Sequence, residues 1–381
     1  MISRAKNSVE SKSAELDFVT HSLHVYPAKF PAHLPRQLLN EHAQAGDRIL
    51  DPFCGSGTTL VEAKLAGIEC IGVDVNGLAV LLSKVKATPL TSEQFAKIDE
   101  FVAVMSNETF SWPFNGRPPI RIKEIEGVAH WFQENVAEEL TFISESIDGL
   151  VDSDVRDYLR ILLSSIIVRV SNQDSDTRFA AISKDIPNGF TLNTFLSKVA
   201  EFTSKFRQSS RLLETDSKLS VFNADSRFLD FIEPDSIDLI ITSPPYANTY
   251  DYYLYHKFRK RWLDLDVSYA QNNEIGSRRE FSSLKRSSQK WTNDLRACFM
   301  EMSRVLKSRG LAFIVIGDSV INKTVIKIDD VIGEFSSSLG FEVEEIISSD
   351  LSHKSSVFNP SFQRKGKKEH LIKLRKQDDA I

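Results

Sequence analysis

The chain has 381 residues, a length that allows two or three domains. Hydrophobic residues make up 41% of it and charged residues 26%, and these ordinary globular values exclude a disordered or fibrous protein. The formal net charge of −5 gives no overall positive field that would attract a polyanion.

The cysteines and the N-terminus narrow the class of protein further. Cys54, Cys70 and Cys298 form no CxxC pair, which argues against a structural zinc site and against a disulfide framework. The N-terminal sequence has no apolar h-region, and no apolar stretch approaches roughly 18 residues. We therefore expect a soluble cytoplasmic protein that does not bind a membrane.

The first elements along the chain predict a βαβ unit. Residues 1–20 are polar and are predicted to form a loose arm. DRILDPF has the pattern of a short buried strand, and CGSG and the helical segment TTLVEAKLA follow it. IECIGVDV is a second strand that closes on Asp74, and NGLAVLLSKVKA is an apolar helix. This order predicts an α/β protein with a parallel sheet.

Residues 89–218 have almost no strand pattern. Their apolar residues recur at helical spacing in the segments EQFAKIDEFVAVM, VAEELTFISESIDGLV, VRDYLRILLSSIIVRVS and FLSKVAEFTSKFRQSSRLL. A long helical block between strands of a parallel sheet is predicted to be an inserted subdomain. Its polar cluster VSNQDSDTRF is predicted to be either a surface loop or part of a substrate wall.

Strand patterns return after the helical block, at LSVFNAD and SIDLIITSPPY. An aromatic, helix-like stretch and a Ser/Arg/Lys-rich segment follow, and then the helix TNDLRACFMEMSRVLKS, which we expect Gly310 to close. LAFIVIGDS and FEVEEIISSDL are predicted strands on either side of the helix IDDVIGEFSSSLG. The tail QRKGKKEHLIKLRK is predicted to end in a short antiparallel strand. Without the helical block, about six or seven strands alternate with helices.

The glycine turn DPFCGSGTT joins a strand to a helix, where an open α/β sheet binds ligands. Gly55 and Gly57 let the backbone approach a ligand closely, and the following helix presents N–H groups. The GxxxxGK[ST] motif of nucleoside-triphosphate loops is absent. Leu60 stands where the GxGxxG dinucleotide motif requires glycine. The spacing therefore excludes both of these common ligand turns.

Two acids indicate which ligand this turn binds. Asp51 ends the first strand and Asp74 ends the second. A carboxylate at the second position can accept hydrogen bonds from both hydroxyls of a ribose, although a solvated strand-end acid gives the same pattern. Together the two acids favour an adenosine-containing ligand without a long phosphate chain.

DPFCGSGTT followed by GVDVN, with TSPPY about 190 residues later, resembles the S-adenosylmethionine-dependent DNA amino-methyltransferases, which modify cytosine N4 or adenine N6. The resemblance covers residues 21–88 and 219–376. It implies a Rossmann-like methyltransferase fold with a mostly parallel seven-stranded sheet and an inserted helical subdomain. We accordingly assign 21–88 and 219–381 to a catalytic domain, and 89–218 to a helical insert that is placed to recognise the target sequence.

The resemblance also implies the cofactor S-adenosyl-L-methionine and its binding residues. HVYPAKFPAHLPRQLL (His24–Leu39) is similar to the family motif that helps hold the methionine end. Asp225 lies where the family places an acid against the adenine. The predicted cofactor-binding residues are Tyr26, Lys29, Phe30, Asp51, Pro52, Phe53, Gly55, Ser56, Gly57, Thr58, Asp74, Val75 and Asp225.

TSPPY follows the strand IDLII and is the predicted catalytic loop. An exocyclic amine on a heteroaromatic ring is a poor nucleophile, and acceptors at its two hydrogens push it towards tetrahedral geometry. The Ser243 hydroxyl and the Pro244 carbonyl can be these acceptors. Pro244 and Pro245 remove competing N–H donors and fix the turn. Tyr246 offers a flat face for an extruded base, although the tyrosine of an isolated PPY turn would simply pack.

A competing activity on the same fold is methylation of cytosine C5. That reaction needs a nucleophilic cysteine, usually after proline, in the catalytic loop. No Pro-Cys dipeptide occurs in the chain, and Cys54 lies in the glycine turn instead. The sequence therefore excludes this activity.

A local basic region is the candidate DNA-binding surface. Residues 256–309 contain 13 Lys and Arg against 6 Asp and Glu, and five of the eight tyrosines lie in residues 246–262. The aromatic stretch also fits an amphipathic helix with a buried face. IGSRREFSSLKRSSQK lacks periodicity, so it is the better candidate, with an ordinary solvated loop as the alternative. The predicted DNA-binding residues are Arg278, Arg279, Lys285 and Arg286.

These observations together predict a site-specific methyltransferase of double-stranded DNA. Serine before PPY favours cytosine N4 over adenine N6, because adenine enzymes of the family more typically have Asp or Asn there. An RNA base methyltransferase and a catalytically silent nucleic-acid-binding module are the alternatives, and the intact cofactor turn argues against the second. The histidines form no HxH or HxxxH pair, so no metal is predicted. A cognate restriction or defence system is an expected partner.

Overall fold

The computed structural model describes residues 20–111, 120–176, 178–281, 288–321, 324–350 and 367–378. These residues form two compact units. The helical unit comprises the described residues of Met1–Ala28, Lys84–Thr215 and Tyr255–Val267. The sheet unit comprises those of Lys29–Ser83, Asp216–Leu254 and Ser268–Ile381.

The sheet unit is built on one seven-stranded sheet. The described strands are β1 (Arg48–Asp51), β2 (Glu69–Asp74), β3 (Gln173–Ser175), β4 (Arg178–Ala181), β5 (Leu219–Asn223), β6 (Ile237–Thr242), β7 (Leu306–Gly317), β8 (Ser319–Ile321), β9 (Thr324–Ile326), β10 (Phe341–Asp350) and β11 (Lys368–Lys376). The order of strands in this sheet is β10-β11-β7-β6-β1-β2-β5. The pairs β3–β4, which lies in the helical unit, and β8–β9 are separate hairpins. β11 pairs antiparallel with β7 and β10, whereas the remaining neighbours in the sheet pair in parallel. The predicted Rossmann-like, mostly parallel seven-stranded sheet is confirmed.

Helices connect these strands and build the helical unit. The described helices are His33–His42, Thr58–Leu65, Gly77–Ala87, Ser92–Ser111, Val128–Trp131, Glu134–Asp148, Ser153–Val170, Phe190–Leu213, Tyr252–Tyr255, Lys257–Trp262, Val267–Asn273, Gln289–Val305 and Ile328–Ser336, with 3-10 turns at Thr20–Ser22, Arg278–Phe281 and Ser337–Leu339. None of the helices in the described part of the chain is both long and apolar enough to cross a membrane.

The core of the sheet unit explains why its strands are almost wholly apolar. The middle strands are covered on both faces, as parallel strands with helical crossovers require. Leu50 of β1, Ile240 of β6 and Ile314 of β7 have no exposed surface, and they share one core cluster with Trp291 and Phe299 of the helix Gln289–Val305. The ends of these strands are therefore held rigidly.

The four helices predicted in the block 89–218 are present, and their apolar stripes pack together in the helical unit. The Asp152 carboxylate caps Ser153–Val170 by accepting from the N–H groups of Asp154 and Val155 at 3.2 Å. The polar cluster VSNQDSDTRF contains the hairpin β3–β4, so it is not a simple loop.

Besides Lys84–Thr215, the helical unit takes in two further described segments, namely 20–28 and 255–267. Both contact the helix Ser153–Val170 through Ser164. His24 Nε2 hydrogen-bonds to the Ser164 hydroxyl at 3.0 Å, and the Arg259 Nε donates to the Ser164 carbonyl at 3.1 Å. These long-range contacts join residues that lie 140 and 95 positions apart in the sequence.

The prediction that Gly310 closes the preceding helix was wrong. The helix Gln289–Val305 ends earlier, and β7 begins at once with Leu306. Arg309 has a φ of +61°, and the register of β7 against β6 shifts in the same region, which marks a bulge. Gly310 therefore lies in a strand, where a Cβ would come within 2.7 Å of the Leu306 side chain.

Candidate active site

The parallel strands β1, β2 and β6 place their carboxyl ends at one edge of the sheet, where open α/β sheets bind ligands. Asp51 and Asp74 end β1 and β2, and Thr242 ends β6 directly before the SPPY loop. Because β1 pairs with β2 on one side and β6 on the other, the glycine turn and the SPPY loop follow neighbouring strands.

Asp51 is a buried carboxylate held by neutral donors. Its Oδ1 accepts hydrogen bonds from the Thr242 hydroxyl at 2.6 Å and from the Phe53 N–H at 3.1 Å. Burial raises the pKa of Asp51 to about 6, although these hydrogen bonds oppose the rise, and no described cation contributes. The Asp51 carboxyl therefore titrates closer to neutral pH than a solvated aspartate does.

The turn between β1 and the helix Thr58–Leu65 requires its glycines. Gly55 and Gly57 have φ values of +48° and +76°, in the left-handed region that favours glycine. A Cβ on Gly57 would also lie 2.7 Å from the Ser83 Oγ, and that hydroxyl donates to the Gly55 carbonyl at 2.9 Å. The turn is thus held by contacts within the protein. Of the other predicted residues in it, Phe53 is half-buried, and the buried ones are Pro52, Ser56 and Thr58.

Asp74 ties the glycine turn to β2. Its Oδ2 accepts from the Gly55 N–H at 3.0 Å and its Oδ1 from the Asn76 N–H at 2.8 Å. Asp74 and Val75 are both half-buried at the ligand-binding edge. The role of Asp74 in accepting from ribose hydroxyls stays a prediction.

Asp225 forms an ion pair with an arginine of its own chain. It lies just beyond β5 and is buried, and its Oδ2 accepts from the Arg227 Nη2 at 2.6 Å. Arg227 also donates to the Asp294 Oδ1 at 2.7 Å. The hydrogen bond to Asp225, with further help from Asp294, raises the pKa of Arg227 against the effect of burial. The contact of Asp225 with the adenine of the cofactor stays a prediction.

The predicted methionine-end motif is divided between the two units. Tyr26 is buried in the helical unit, with its ring centroid 4.9 Å from that of His256. Lys29, which is exposed, and Phe30, which is half-buried, belong to the sheet unit.

The SPPY loop is anchored to the core of the sheet unit. The buried Trp291 indole donates its Nε1–H to the Pro245 carbonyl at 3.4 Å. Pro244 is buried and Ser243 is half-buried. Within the described residues, no donor contacts the Pro244 carbonyl. The loop therefore presents a hydroxyl and a carbonyl as acceptors on a fixed backbone.

Tyr246 is fixed at its hydroxyl end. Its phenol donates to the Glu369 Oε1 of β11 at 2.9 Å, and its ring lies against Gly317 of β7. Burial and then the charge of Glu369 raise the pKa of Tyr246 well above its usual value, so the phenol stays protonated. No local sequence pattern marks Glu369 or Gly317 as part of the site, because only the pairing of β11 with β7 brings them to the loop.

The basic region shows less unpaired charge than its sequence suggests. Arg278 and Arg279 form the 3-10 turn Arg278–Phe281, where the Arg279 guanidinium lies over the Tyr253 ring and donates to the Gln271 carbonyl at 3.1 Å. Lys285 and Arg286 lie outside the described residues. Several other cations of the region form ion pairs with described acids, including Lys290, Arg304, Lys307 and Arg309.

One cluster of described residues, Asp318, Asp329 and His370, has the composition of a metal site. Asp318 already has protein donors on both oxygens. The Lys327 ammonium contacts its Oδ2 at 2.7 Å, and the Ile328 N–H donates to its Oδ1 at 3.2 Å. The lysine supplies the positive charge that a metal would bring, so we assign no metal to this cluster.

Comparison with known proteins agrees with this geometry. A family model described as DNA methylase matches residues 2–84 and 237–379, more than half of the chain. The type II methyltransferase M.MvaI of Kocuria varians is 26% identical over 265 residues, a match that covers 65% of this chain and 58% of that protein. The type II methyltransferase M.MjaII of Methanocaldococcus jannaschii is 23% identical over 385 residues, covering 78% of this chain and 72% of that protein.

Solved structures are more distant. A methyltransferase from Methanosarcina mazei, described as S-adenosylmethionine-dependent, shares 10% identity and a TM-score of 0.36, covering 93% of this chain and 100% of that one. The family assignment therefore rests on the sequence match, which includes both the glycine turn and the SPPY loop. This chain belongs to the N6/N4 DNA methylase family, the S-adenosylmethionine-dependent DNA amino-methyltransferases.

Proposed function

We propose that this protein transfers a methyl group from S-adenosylmethionine to the exocyclic amino group of an extruded base in double-stranded DNA. The favoured target is cytosine N4, and adenine N6 is the alternative. The observation that carries the proposal is the 2.6 Å hydrogen bond from Thr242 to Asp51. It joins the start of the SPPY loop to the start of the glycine turn, so the two predicted functional loops share one rigid edge.

The residues at this edge suit the cofactor. S-adenosylmethionine carries an ammonium, a sulfonium and a ribose diol, and when bound it supplies an electrophilic methyl group. Asp51 is a buried carboxylate whose described hydrogen-bond donors are neutral, and it would accept a hydrogen bond from the ammonium. Asp74 is a half-buried acid at the end of the neighbouring strand. Gly55 and Gly57 keep the backbone between them without side chains. We propose that these four residues hold the cofactor.

The SPPY loop offers two hydrogen-bond acceptors to the amino group of the target base. The Ser243 hydroxyl and the Pro244 carbonyl would each accept one hydrogen of the amine, which localises the nitrogen lone pair as the nitrogen becomes tetrahedral. These contacts strengthen in the transition state, so their removal should slow the transfer more than it weakens binding. Tyr246 would hold the extruded base by stacking, a contact worth about 1–3 kcal/mol.

Cytosine N4 is favoured by the residue before the two prolines. Ser243 is neutral, whereas adenine enzymes of this family more typically have Asp or Asn at that position. The relatives M.MvaI and M.MjaII are type II methyltransferases, which supports a cognate restriction enzyme as a partner. We further propose that the helical insert recognises the target sequence and that Arg278, Arg279, Lys285 and Arg286 contact DNA phosphates.

The test is transfer of tritiated methyl from the cofactor to unmethylated genomic DNA, followed by nucleoside analysis, with total RNA in a parallel reaction. Label in N4-methylcytosine is expected, and label in N6-methyladenine would establish the alternative target. Ser243→Ala should lose about 10- to 1000-fold in single-turnover rate. The matched control is Ser337→Ala, an exposed serine of the same unit. Label in RNA alone, or no label in either, would overturn the proposal.

A further inference from the structure

The antiparallel strand β11 brings a carboxylate to the catalytic edge of the sheet. Parallel strands present only their carboxyl ends there, but β11 runs the opposite way, so its first residues reach that edge. Glu369 is the second residue of β11 and pairs directly with Gly317, the last residue of β7. This cross-strand pair lies beside Tyr246 of the SPPY loop.

Both members of the pair contact Tyr246. The phenol donates to the Glu369 Oε1 at 2.9 Å, a hydrogen bond to a charged acceptor. A Cβ on Gly317 would lie 2.8 Å from the Tyr246 Cε2 and 3.2 Å from its Cδ2, so only glycine leaves room for the ring. Glu369 therefore fixes the hydroxyl end of the ring, and Gly317 sets the depth at which the ring lies.

The rest of the loop holds the backbone beside Tyr246 and adds one further contact to its phenol. Trp291 holds the Pro245 carbonyl, which fixes the backbone next to Tyr246, and Gly276 packs its backbone close to the Trp291 indole. These contacts locate the backbone, and the Ser243 side chain adds a second hydrogen bond at the phenol, beside that to Glu369. A hydrogen bond at the far end of the side chain restricts the side-chain torsions of Tyr246 before the base arrives.

We propose that Glu369 is a positioning residue for base extrusion: it orients the Tyr246 ring, through the phenol, so that the ring is ready to stack on the extruded base. The inference rests on the proposed function, because the base is the substrate of that reaction. Glu369 touches neither the base nor the cofactor in this scheme. Its effect passes through Tyr246, and Gly317 makes the arrangement possible.

The contact can be tested without DNA. Selective ¹³C labelling of the tyrosine Cζ atoms, with Tyr246→Phe to assign the Tyr246 signal, reports the phenol hydrogen bond through the Cζ chemical shift at neutral pH. A phenol that donates to a carboxylate has its Cζ shift displaced towards that of the phenolate, so Glu369→Gln should move the Tyr246 signal back towards that of an ordinary neutral tyrosine. An unchanged Tyr246 Cζ shift in Glu369→Gln would overturn the inference, whether or not the protein methylates DNA.

The functional consequence is tested by a double-mutant cycle on a duplex that contains the methylation site. Glu369→Ala should lower the single-turnover rate about 10- to 100-fold, as expected for one hydrogen bond to a charged group. It should also lower 2-aminopurine fluorescence at the target position, with cofactor affinity unchanged. Glu369→Gln should recover most of the rate.

The cycle separates positioning from a general structural role. In a Tyr246→Phe background the phenol is absent, so Glu369→Ala should cause little further loss of rate. An equal loss in both backgrounds would show that Glu369 acts on something other than Tyr246 and would overturn the inference. If Glu369→Ala does not fold, Glu369→Leu, which removes the acceptor but keeps most of the side-chain volume, replaces it in the same two backgrounds. Absence of methyl transfer by the wild-type protein would reject the proposed function and leave the NMR result to stand alone.

Discussion

Asp51 and Asp318 are two buried aspartates of the same sheet unit with opposite electrostatic surroundings. Asp51 ends β1, its described donors, which include Thr242 and the Phe53 backbone, are neutral, and burial raises its pKa to about 6. Asp318 follows β7. Burial would raise its pKa, but the Lys327 ammonium, backbone N–H groups and His370 outweigh burial and lower it. Asp318 thus receives a cation from its own chain, whereas the described donors to Asp51 are neutral, and this contrast underlies the proposal that Asp51 faces the cofactor.

The largest expected effect is on the stability of the protein when Asp318 is replaced. Asp318→Ala leaves the Lys327 ammonium and the Ile328 and Lys368 N–H groups without their acceptor. We expect a loss of about 2–4 kcal/mol in the free energy of unfolding. Chemical denaturation measures it, with Asp330→Ala, an exposed acid of the adjacent helix, as the control. A loss no larger than that of the control would show that Asp318 does not stabilise the fold in this way.

Asp51→Asn should have the opposite effect on stability. The raised pKa means that ionising Asp51 costs the folded protein stability as the pH rises from about 4 to 6, a total of about 3 kcal/mol at 1.36 kcal/mol per pKa unit. The asparagine variant should therefore match the wild type near pH 4 and be the more stable protein at pH 7.

Asp51→Asn should lower cofactor affinity, although it should raise stability at pH 7. Asp51→Asn removes the negative charge that we expect to face the cofactor, and the affinity should fall about 10- to 100-fold, as for a charge-assisted hydrogen bond. Calorimetric titration with S-adenosylmethionine measures this. A variant that is less stable at pH 7 and binds the cofactor normally would contradict the contrast between Asp51 and Asp318.

Asp74 is the intermediate case, since it is half-buried and accepts from two backbone N–H groups. Asp74→Ala should weaken cofactor binding by about 1–3 kcal/mol if the carboxylate holds the ribose hydroxyls. Asp74→Asn keeps one acceptor oxygen and should lose less. If calorimetry shows unchanged cofactor affinity in both variants, Asp74 does not bind the ribose and only stabilises the glycine turn.

The smallest expected signal is a proton released on binding. Near pH 6 about half of the Asp51 carboxyls are protonated in the free protein, and a bound cation should ionise them. Binding should then release up to roughly half a proton, and affinity should rise between pH 5 and 7. Calorimetry in buffers of different ionisation enthalpy counts the protons. Asp51→Asn should abolish the release, and a release of the same size in that variant would assign the proton to another group.

The sequence by itself determined the βαβ unit, the glycine turn and the SPPY loop, because each depends on residues that are close together in the chain. Turn glycines, strand-end acids and two prolines act locally, and a parallel sheet brings the ends of its strands to one edge. The helices of the insert were predictable for the same reason, since an apolar stripe is a local pattern. The end of the helix Gln289–Val305 was not, because strand pairing with β6 overrode the glycine signal.

Only the tertiary structure decided which groups neutralise one another. Asp51 and Thr242 are 191 residues apart, and Tyr246 and Glu369 are 123 residues apart. Burial and partner identity set the pKa of a carboxylate, and both depend on strand order and register rather than on neighbours in sequence. The antiparallel direction of β11 brings Glu369 to the SPPY loop, and no local pattern in the sequence specifies which strand it pairs with.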